Sequence, residues 1–376
     1  MRRGKYGVTQ GAPPVSVTRA TRVAWASAMA NALASRLSPS PQRDEIVRVM
    51  GKALAPTTAD SYGGHLSRFI AFCAAQPDRP SPLPATTDTV LRWLAGEVCA
   101  HGKVKAGSLQ PYLSAINRIH SDMGFDTPAV GHLVESYKSG LAHDQTEQGR
   151  PSERVYLPPP VVEQILEWAL RVELQQSGKQ LQLEFRAAVA VVFTYCFFAR
   201  GATGAALLSK HVRRGPHGEL LITLDHEKGR AKRARSRLLT VPAASIAGLD
   251  ELLAKWETFR GEVRVTDSYY ALPFEVLHAR TRSVTYASTQ IDTWLQLVLK
   301  RFGVAAPPGE VWSGHSLRKG AASGAAAILV GLERICHMGG WSVHSSVVKD
   351  YIDVTCPPTS ACYRFFGWLL PPAMRV

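Results

Sequence analysis

A chain of 376 residues is long enough for two domains, each with its own buried core, and 45% hydrophobic with 20% charged residues reads as folded and soluble. The net charge of +14 predicts a polyanionic partner, nucleic acid ahead of an anionic membrane surface, with a ribosome-like or merely solvated basic surface as the plain alternative. The longest uncharged apolar runs, 187–199 and 320–332, fall short of the ~20 residues a membrane span needs, and the basic N-terminus lacks the apolar stretch of a secretory signal. The six cysteines contain no C-x-x-C pair and read as reduced core thiols of an intracellular protein, so neither a zinc site nor a disulfide framework is expected.

Residues 1–18 are basic and rich in Gly, Pro and Ser, which suits a flexible arm. Apolar periodicity then predicts helices over 21–37, 57–76, 87–101, 108–123 and 130–143. Thr57 with Asp60 three residues on, and Thr86-Thr87-Asp88, supply acceptors for the free amides of a first helical turn. Polar residues without apolar period run from 144 to the three prolines Pro158-Pro159-Pro160 and predict a linker. The expected domains are therefore an arm with an extra helix over 1–45, a helical domain over 46–143, the linker 144–160, and a second domain over 161–376.

The second half changes character. Helices are expected over 161–172, 181–199 (fully buried) and 205–212, and strands over 220–224 and 237–241 as a hairpin with a charged connection. Further helices are expected over 246–260, 289–302 and, as a pair, 317–338, followed by a Gly-Gly break and a short helix into Tyr351. The class is mostly α with a small β-sheet (α+β).

Several residues here have the chemistry of a phosphodiester site. Arg200 follows the longest buried helix, where a guanidinium needs an anion or several carbonyls, because burying it unpaired is costly. The hairpin connection 228–237 holds Lys228, Arg230, Lys232, Arg233, Arg235 and Arg237 with no acid; it reads as a phosphate-tracking surface or a nuclear-import signal, and one of its lysines could protonate a 5′-oxygen leaving group. His315 and Arg318, three apart on a helix expected to start near Ser316, share a side close to amides that favour anions. Arginine grips two phosphate oxygens and a neutral histidine relays a proton. Tyr351 shares one helical face with Val343, Val347 and Val348 if Ser342 caps that helix, which alone describes a core tyrosine; beside cations it describes a nucleophile.

Arg200, the Lys228 hairpin, His315-Ser316-Leu317-Arg318, Trp341 and Tyr351, in that order behind a helical N-terminal domain, resemble the tyrosine recombinase or integrase family. The resemblance spans most of 46–365 and is tight at 195–241 and 313–352. It implies a helical core-binding domain and a catalytic domain closing as a C-shaped clamp on double-stranded DNA, with assembly into a homo-tetramer on DNA. It implies that Arg200 and Arg318 hold the non-bridging oxygens, that His315 assists proton transfer, that Trp341 donates its indole N–H, and that Lys228, or else Lys232, is the leaving-group acid. Tyr351 would form a 3′-phosphotyrosyl bond and a free 5′-hydroxyl, so that rejoining needs neither metal nor nucleotide cofactor. Thr203 stands where the family often has an acid, Lys319 where many members have His, and the step from Trp341 to Tyr351 is one residue longer than common. In the helical domain Arg68, Arg92, Lys103, Lys105 and Arg118, interleaved with Tyr62, Trp93 and Tyr112, are the expected DNA contacts. A catalytically silent DNA-binding relative and a type IB topoisomerase-like enzyme are the other readings. Trp341 and the basic hairpin lean towards a eukaryotic mobile element, and hence the nucleus. The apolar segment 362–370 is expected to pack on a neighbouring protomer or on its own core.

Overall fold

The computed structural model describes residues 38–51, 56–100, 104–147, 155–174, 177–224, 237–242, 244–287 and 289–374. The expected helix over 21–37 and the hairpin connection with Lys228, Arg230, Lys232, Arg233 and Arg235 lie outside them, as does Lys103. The chain divides into two compact units, Met1–Arg150 and Pro151–Val376. The architecture is mostly α with a small antiparallel sheet.

The first unit contains α1 (Arg43–Gly51), α2 (Pro56–Ala75), α3 (Thr87–Trp93), α4 (Gln110–Met123) and α5 (His132–Glu147). The Thr86 hydroxyl caps α3 by accepting from the Thr89 amide. Where one helix over 87–101 was expected, α3 passes into a π-helical turn, Leu94–Val98. Helix α5 also runs four residues into the segment read as linker. Leu66, Phe69 and Cys73 on α2, Val90 and Trp93 on α3, and Leu113, Ile116 and Ile119 on α4 recur at helical spacing and form the core. Trp93 is fully buried against Phe69, and Tyr62 and Tyr112 pack half-buried on the same core, so these aromatics help to stabilise the unit. Arg92 is held by Asp78 and Arg118 by Asp122, whereas Arg68 is exposed.

The second unit is built around α7 (Lys179–Cys196), which follows α6 (Pro159–Arg171). Every residue from Phe185 to Cys196 on α7 is buried, which its nearly continuous apolar sequence requires. The expected helix over 205–212 is instead α8 (Gly201–Ala205) followed by a single 3-10 turn, Ser209–His211. Strands β1 (Val212–Arg214), β2 (Leu220–Leu224) and β3 (Arg237–Val241) form an antiparallel sheet in sequence order, with Val212 opposite Ile222 and Leu220 opposite Val241. Leu220, Ile222 and Leu224 alternate with half-buried positions, as do Leu239 and Val241 with exposed ones, so one face of the sheet covers the core. Helices α9 (Leu249–Arg260), α10 (Pro273–Ala279), α11 (Gln290–Arg301), α12 (Gly314–Ala327), α13 (Leu332–Gly339) and α14 (Ser360–Phe366) complete the unit. Helix α12 lies close to the chain before α6: a Cβ added at Gly320 would stand 2.2 Å from the Leu157 carbonyl oxygen. No helix among the described residues is long and apolar enough to cross a membrane.

The segment after Tyr351 packs on its own chain. Cys362, Phe365 and Phe366 are fully buried, with the Phe366 ring 5.6 Å from Tyr195 and 5.2 Å from Phe198. Arg364 pins α14 to α6 through Glu163 and Glu167 and donates to the Ala247 carbonyl. Phe366→Ala is expected to destabilise the second unit by about 3–5 kcal/mol, the range for truncating a buried phenylalanine. Urea unfolding checks this, and the loss is independent of protein concentration because the contact lies within one chain.

Candidate active site

Two helix C-termini end in the same hydrogen-bonded turn and aim their last carbonyls at one guanidinium. At the end of α7, the Ala199 amide returns to the Thr194 carbonyl (3.0 Å) and the Phe198 amide to Tyr195 (3.1 Å), with Phe198 left-handed at φ 52°. This is a Schellman closure, in which glycine is usual. Phenylalanine at that position costs about 1–2 kcal/mol in backbone strain, and the ring offsets it by complete burial against Phe366. Arg200 therefore does not cap the long helix, as its place in the sequence suggested; after the turn it stands at the N-cap of α8.

At the end of α13 the Trp341 amide reaches the Cys336 carbonyl (2.9 Å) and Gly340 the His337 carbonyl (3.2 Å), with Gly340 left-handed at φ 66°. The chain then folds so tightly that a Cβ on Gly339 would lie 1.9 Å from the Trp341 ring. Arg237, buried on β3, donates 2.6 Å bonds to both the His337 and Met338 carbonyls. Arg318 takes the next carbonyl, that of Gly339, and the Phe198 carbonyl at the end of α7. Arg318 is fully buried, and its guanidinium carbon lies 3.8 Å from the centroid of Trp341.

Helix α12 starts at Gly314, two residues earlier than expected. Ser313 and Ser316 form a reciprocal capping box, and the Asp292 carboxylate accepts from the Gly314 amide at 2.6 Å. The anion-binding amides expected beside His315 are thus already engaged. Gly314 and Gly201 allow α12 and α8 to start side by side: a Cβ on Gly314 would lie 3.0 Å from the Cα of Gly201. This contact brings the backbone of Arg200 next to that of His315. Nη1 of Arg200 is buried with no hydrogen-bonding partner among the described residues.

Tyr351 closes a 3-10 helix, Ser346–Tyr351, and not the short α-helix expected. Ser345 caps it by accepting from the Val347 amide. The apolar face proposed for it does not form: Val343 and Val347 are each 46% exposed and only Val348 is buried. The half-buried phenol ring lies 5.0 Å from Trp341, 6.4 Å from His315 and 5.4 Å from the Arg318 guanidinium carbon. Behind it, the Ser323 hydroxyl donates to the Tyr351 carbonyl, and Lys319 pairs with Asp353 at 3.2 Å. Hydrogen bonds from the Thr355 hydroxyl and amide, and then Lys319, hold the Asp353 carboxyl below the usual carboxylate range.

The structure thus gathers His315, Arg318, Trp341 and Tyr351, with the backbone of Arg200 beside them. Lys228 and Lys232 lie outside the described residues. Sequence reasoning missed Arg237, Ser323, Asp292 and Asp353. Arg237 was visible as the last cation of the basic run and an inward position of the predicted strand, but the others carried no local signal.

No protein-family model and no curated protein matches the sequence. Solved structures do match by fold. One is the XerH site-specific recombinase bound to palindromic difH substrate in a post-cleavage complex, at a TM-score of 0.54 and 12% identity over 88% of this chain and 91% of that one. Another is the Tn1549 transposon integrase in complex with circular intermediate DNA, at 0.51 and 11% over 90% and 97%. The chain has the fold of the tyrosine recombinases.

Gly339→Ala is expected to push the indole of Trp341 off Arg318 and to cost about 1–3 kcal/mol, as overpacking of a filled site does. Near-ultraviolet circular dichroism, compared with that of Trp341→Phe, checks it: the two variants should lose the same aromatic signal.

Proposed function

We propose that this chain is a DNA strand transferase of the tyrosine recombinase type, cleaving and rejoining DNA through a 3′-phosphotyrosyl intermediate. One observation carries the reading: the Tyr351 phenol lies against Trp341 and within 5.4 Å of the Arg318 guanidinium carbon, beside a helix start where Arg200 keeps a buried Nη1 with no hydrogen-bonding partner among the described residues. A buried guanidinium nitrogen in that condition calls for an anion, and a phosphodiester supplies it. The basic balance of +14 agrees with a polyanionic substrate.

The Tyr351 oxygen attacks phosphorus, its proton passing to a neighbouring base, with His315 best placed to relay it. The phosphorus–5′-oxygen bond breaks, and Lys228, or Lys232 in its stead, protonates the departing oxygen. Arg200 and Arg318 stabilise the negative charge on the non-bridging oxygens of the pentacoordinate transition state, and the indole N–H of Trp341 donates to the same phosphate. Because one phosphoester replaces another, the 5′-hydroxyl of a second strand can reverse the step without an external energy source. Arg68, Arg92, Lys103, Lys105, Arg118 and the hairpin residues Arg230, Lys232, Arg233 and Arg235 would then lie on backbone phosphates of duplex DNA. The ion pair of Arg92 with Asp78 is open to solvent, and phosphate can replace its acid. Strand exchange between two duplexes would use four copies, in the nucleus if the element is eukaryotic.

One feature favours a second reading, a DNA-binding chain without cleavage: Arg318 is fully buried and both its terminal nitrogens donate to backbone carbonyls. A single experiment separates the two. The full chain is incubated with a pool of nicked duplexes carrying a randomised core, and covalent adducts are recovered under denaturing conditions and sequenced. Cleavage predicts an enriched sequence whose adduct disappears in Tyr351→Phe and falls at least about a hundredfold in Arg200→Ala. Salt-sensitive binding without any adduct supports the silent reading and rejects the enzyme.

A further inference from the structure

The short 3-10 segment that carries Tyr351 packs Val348 and the Tyr351 ring against the core. Polar groups on α12 hold its backbone as well. Ser323, fully buried, donates its hydroxyl to the Tyr351 carbonyl (3.3 Å) and accepts from the Asp353 amide (2.8 Å). A hydroxyl has one proton and two acceptor lone pairs, so this one side chain grips the backbone at the tyrosine itself and again two residues beyond it. The Asp353 side chain then turns back to Lys319, the residue after Arg318, in an ion pair whose members are only 15% and 23% exposed. Asp353 also caps the following turn by accepting from the Thr355 amide (3.1 Å) and hydroxyl (2.7 Å), which fixes its orientation. Helix α12 therefore bears His315, Arg318 and both anchors of the tyrosine segment. The distance from phenol to arginine is set by one rigid helix and not by the length of the loop after Trp341.

We propose that Ser323 and the Lys319–Asp353 pair are positioning residues that hold Tyr351 against Arg318 of its own chain. The inference rests on the strand-transferase reading above. A nucleophile displaced by 1 Å loses rate by up to about a hundredfold, whereas substrate binding, which uses other groups, is untouched.

The test uses the full chain and the nicked duplex enriched by covalent capture. Ser323→Ala should slow single-turnover adduct formation at saturating DNA by about tenfold or more while the DNA dissociation constant stays at the wild-type value. Ser323→Thr, which keeps the hydroxyl, should recover most of the rate. Lys319→Met tests the same latch without altering the buried serine and should also slow the step at unchanged affinity. A mixture of Arg200→Ala and Tyr351→Phe chains should give no more adduct than either alone. Wild-type rates in both Ser323→Ala and Lys319→Met, or adduct restored in the mixture, would overturn the latch. Absence of any Tyr351 adduct from the unaltered chain rejects strand transfer itself and the latch with it.

Discussion

The second unit is organised by the need to satisfy one buried cation. Arg318 has no exposed surface, and an unpaired guanidinium in that environment would cost several kcal/mol. Backbone carbonyls at the ends of α7 and α13 accept from it. A helix C-terminus carries partial negative charge and orphan carbonyls, so two such ends converging on an arginine stabilise it without neutralising it. The arrangement requires both helices to stop at defined residues. The left-handed turns at Phe198 and Gly340 supply those stops, and Arg237 satisfies two further carbonyls of α13 from the sheet side.

From that constraint the rest of the site follows by contact. The chain entering α8 meets the start of α12, and glycine on both sides, Gly201 and Gly314, lets the backbones meet. The chain leaving α13 can turn only because Gly339 has no side chain, which lays the indole of Trp341 over Arg318 and against the phenol of Tyr351. Small residues here are requirements of approach between a charged centre and its neighbours, and their place in the sequence gives no hint of it.

That difference explains what was legible. Elements with a period were readable: β2 and β3 have the expected bounds, and α7 announced itself as a buried helix through its unbroken apolar run. Residues with rare chemistry in a fixed order were readable too, which is why Arg200, His315, Arg318, Trp341 and Tyr351 could be singled out together. Unreadable were features set by tertiary contact. The 3-10 form of the Tyr351 segment comes from a serine nearly thirty residues upstream, and Val343 and Val347, which suggested an apolar face, are half exposed. The use of the α12 amides by Asp292 and Ser313 likewise depends on a partner helix that periodicity does not locate. The terminal apolar segment had two equal destinations in sequence terms, and only the pocket left by Tyr195 and Phe198 beside Gly324 decides for its own core.

Two departures from the pattern the chain resembles acquire a physical sense together. Lys319, where a histidine is common, has a carboxylate partner in Asp353, so the substitution adds a charge pair beside the tyrosine segment. Thr203, where an acid is common, is buried and brings no charge to α8. An acid there would orient Arg200 but would also offset its charge in the DNA-free state. Without it, the Nη1 of Arg200 remains unsatisfied among the described residues, which raises the free energy of the empty site relative to the anion-bound one. The orientation lost at α8 is compensated by the close Gly201–Gly314 contact, which fixes the backbone from which Arg200 projects. A charge-based support is thereby exchanged for a steric one.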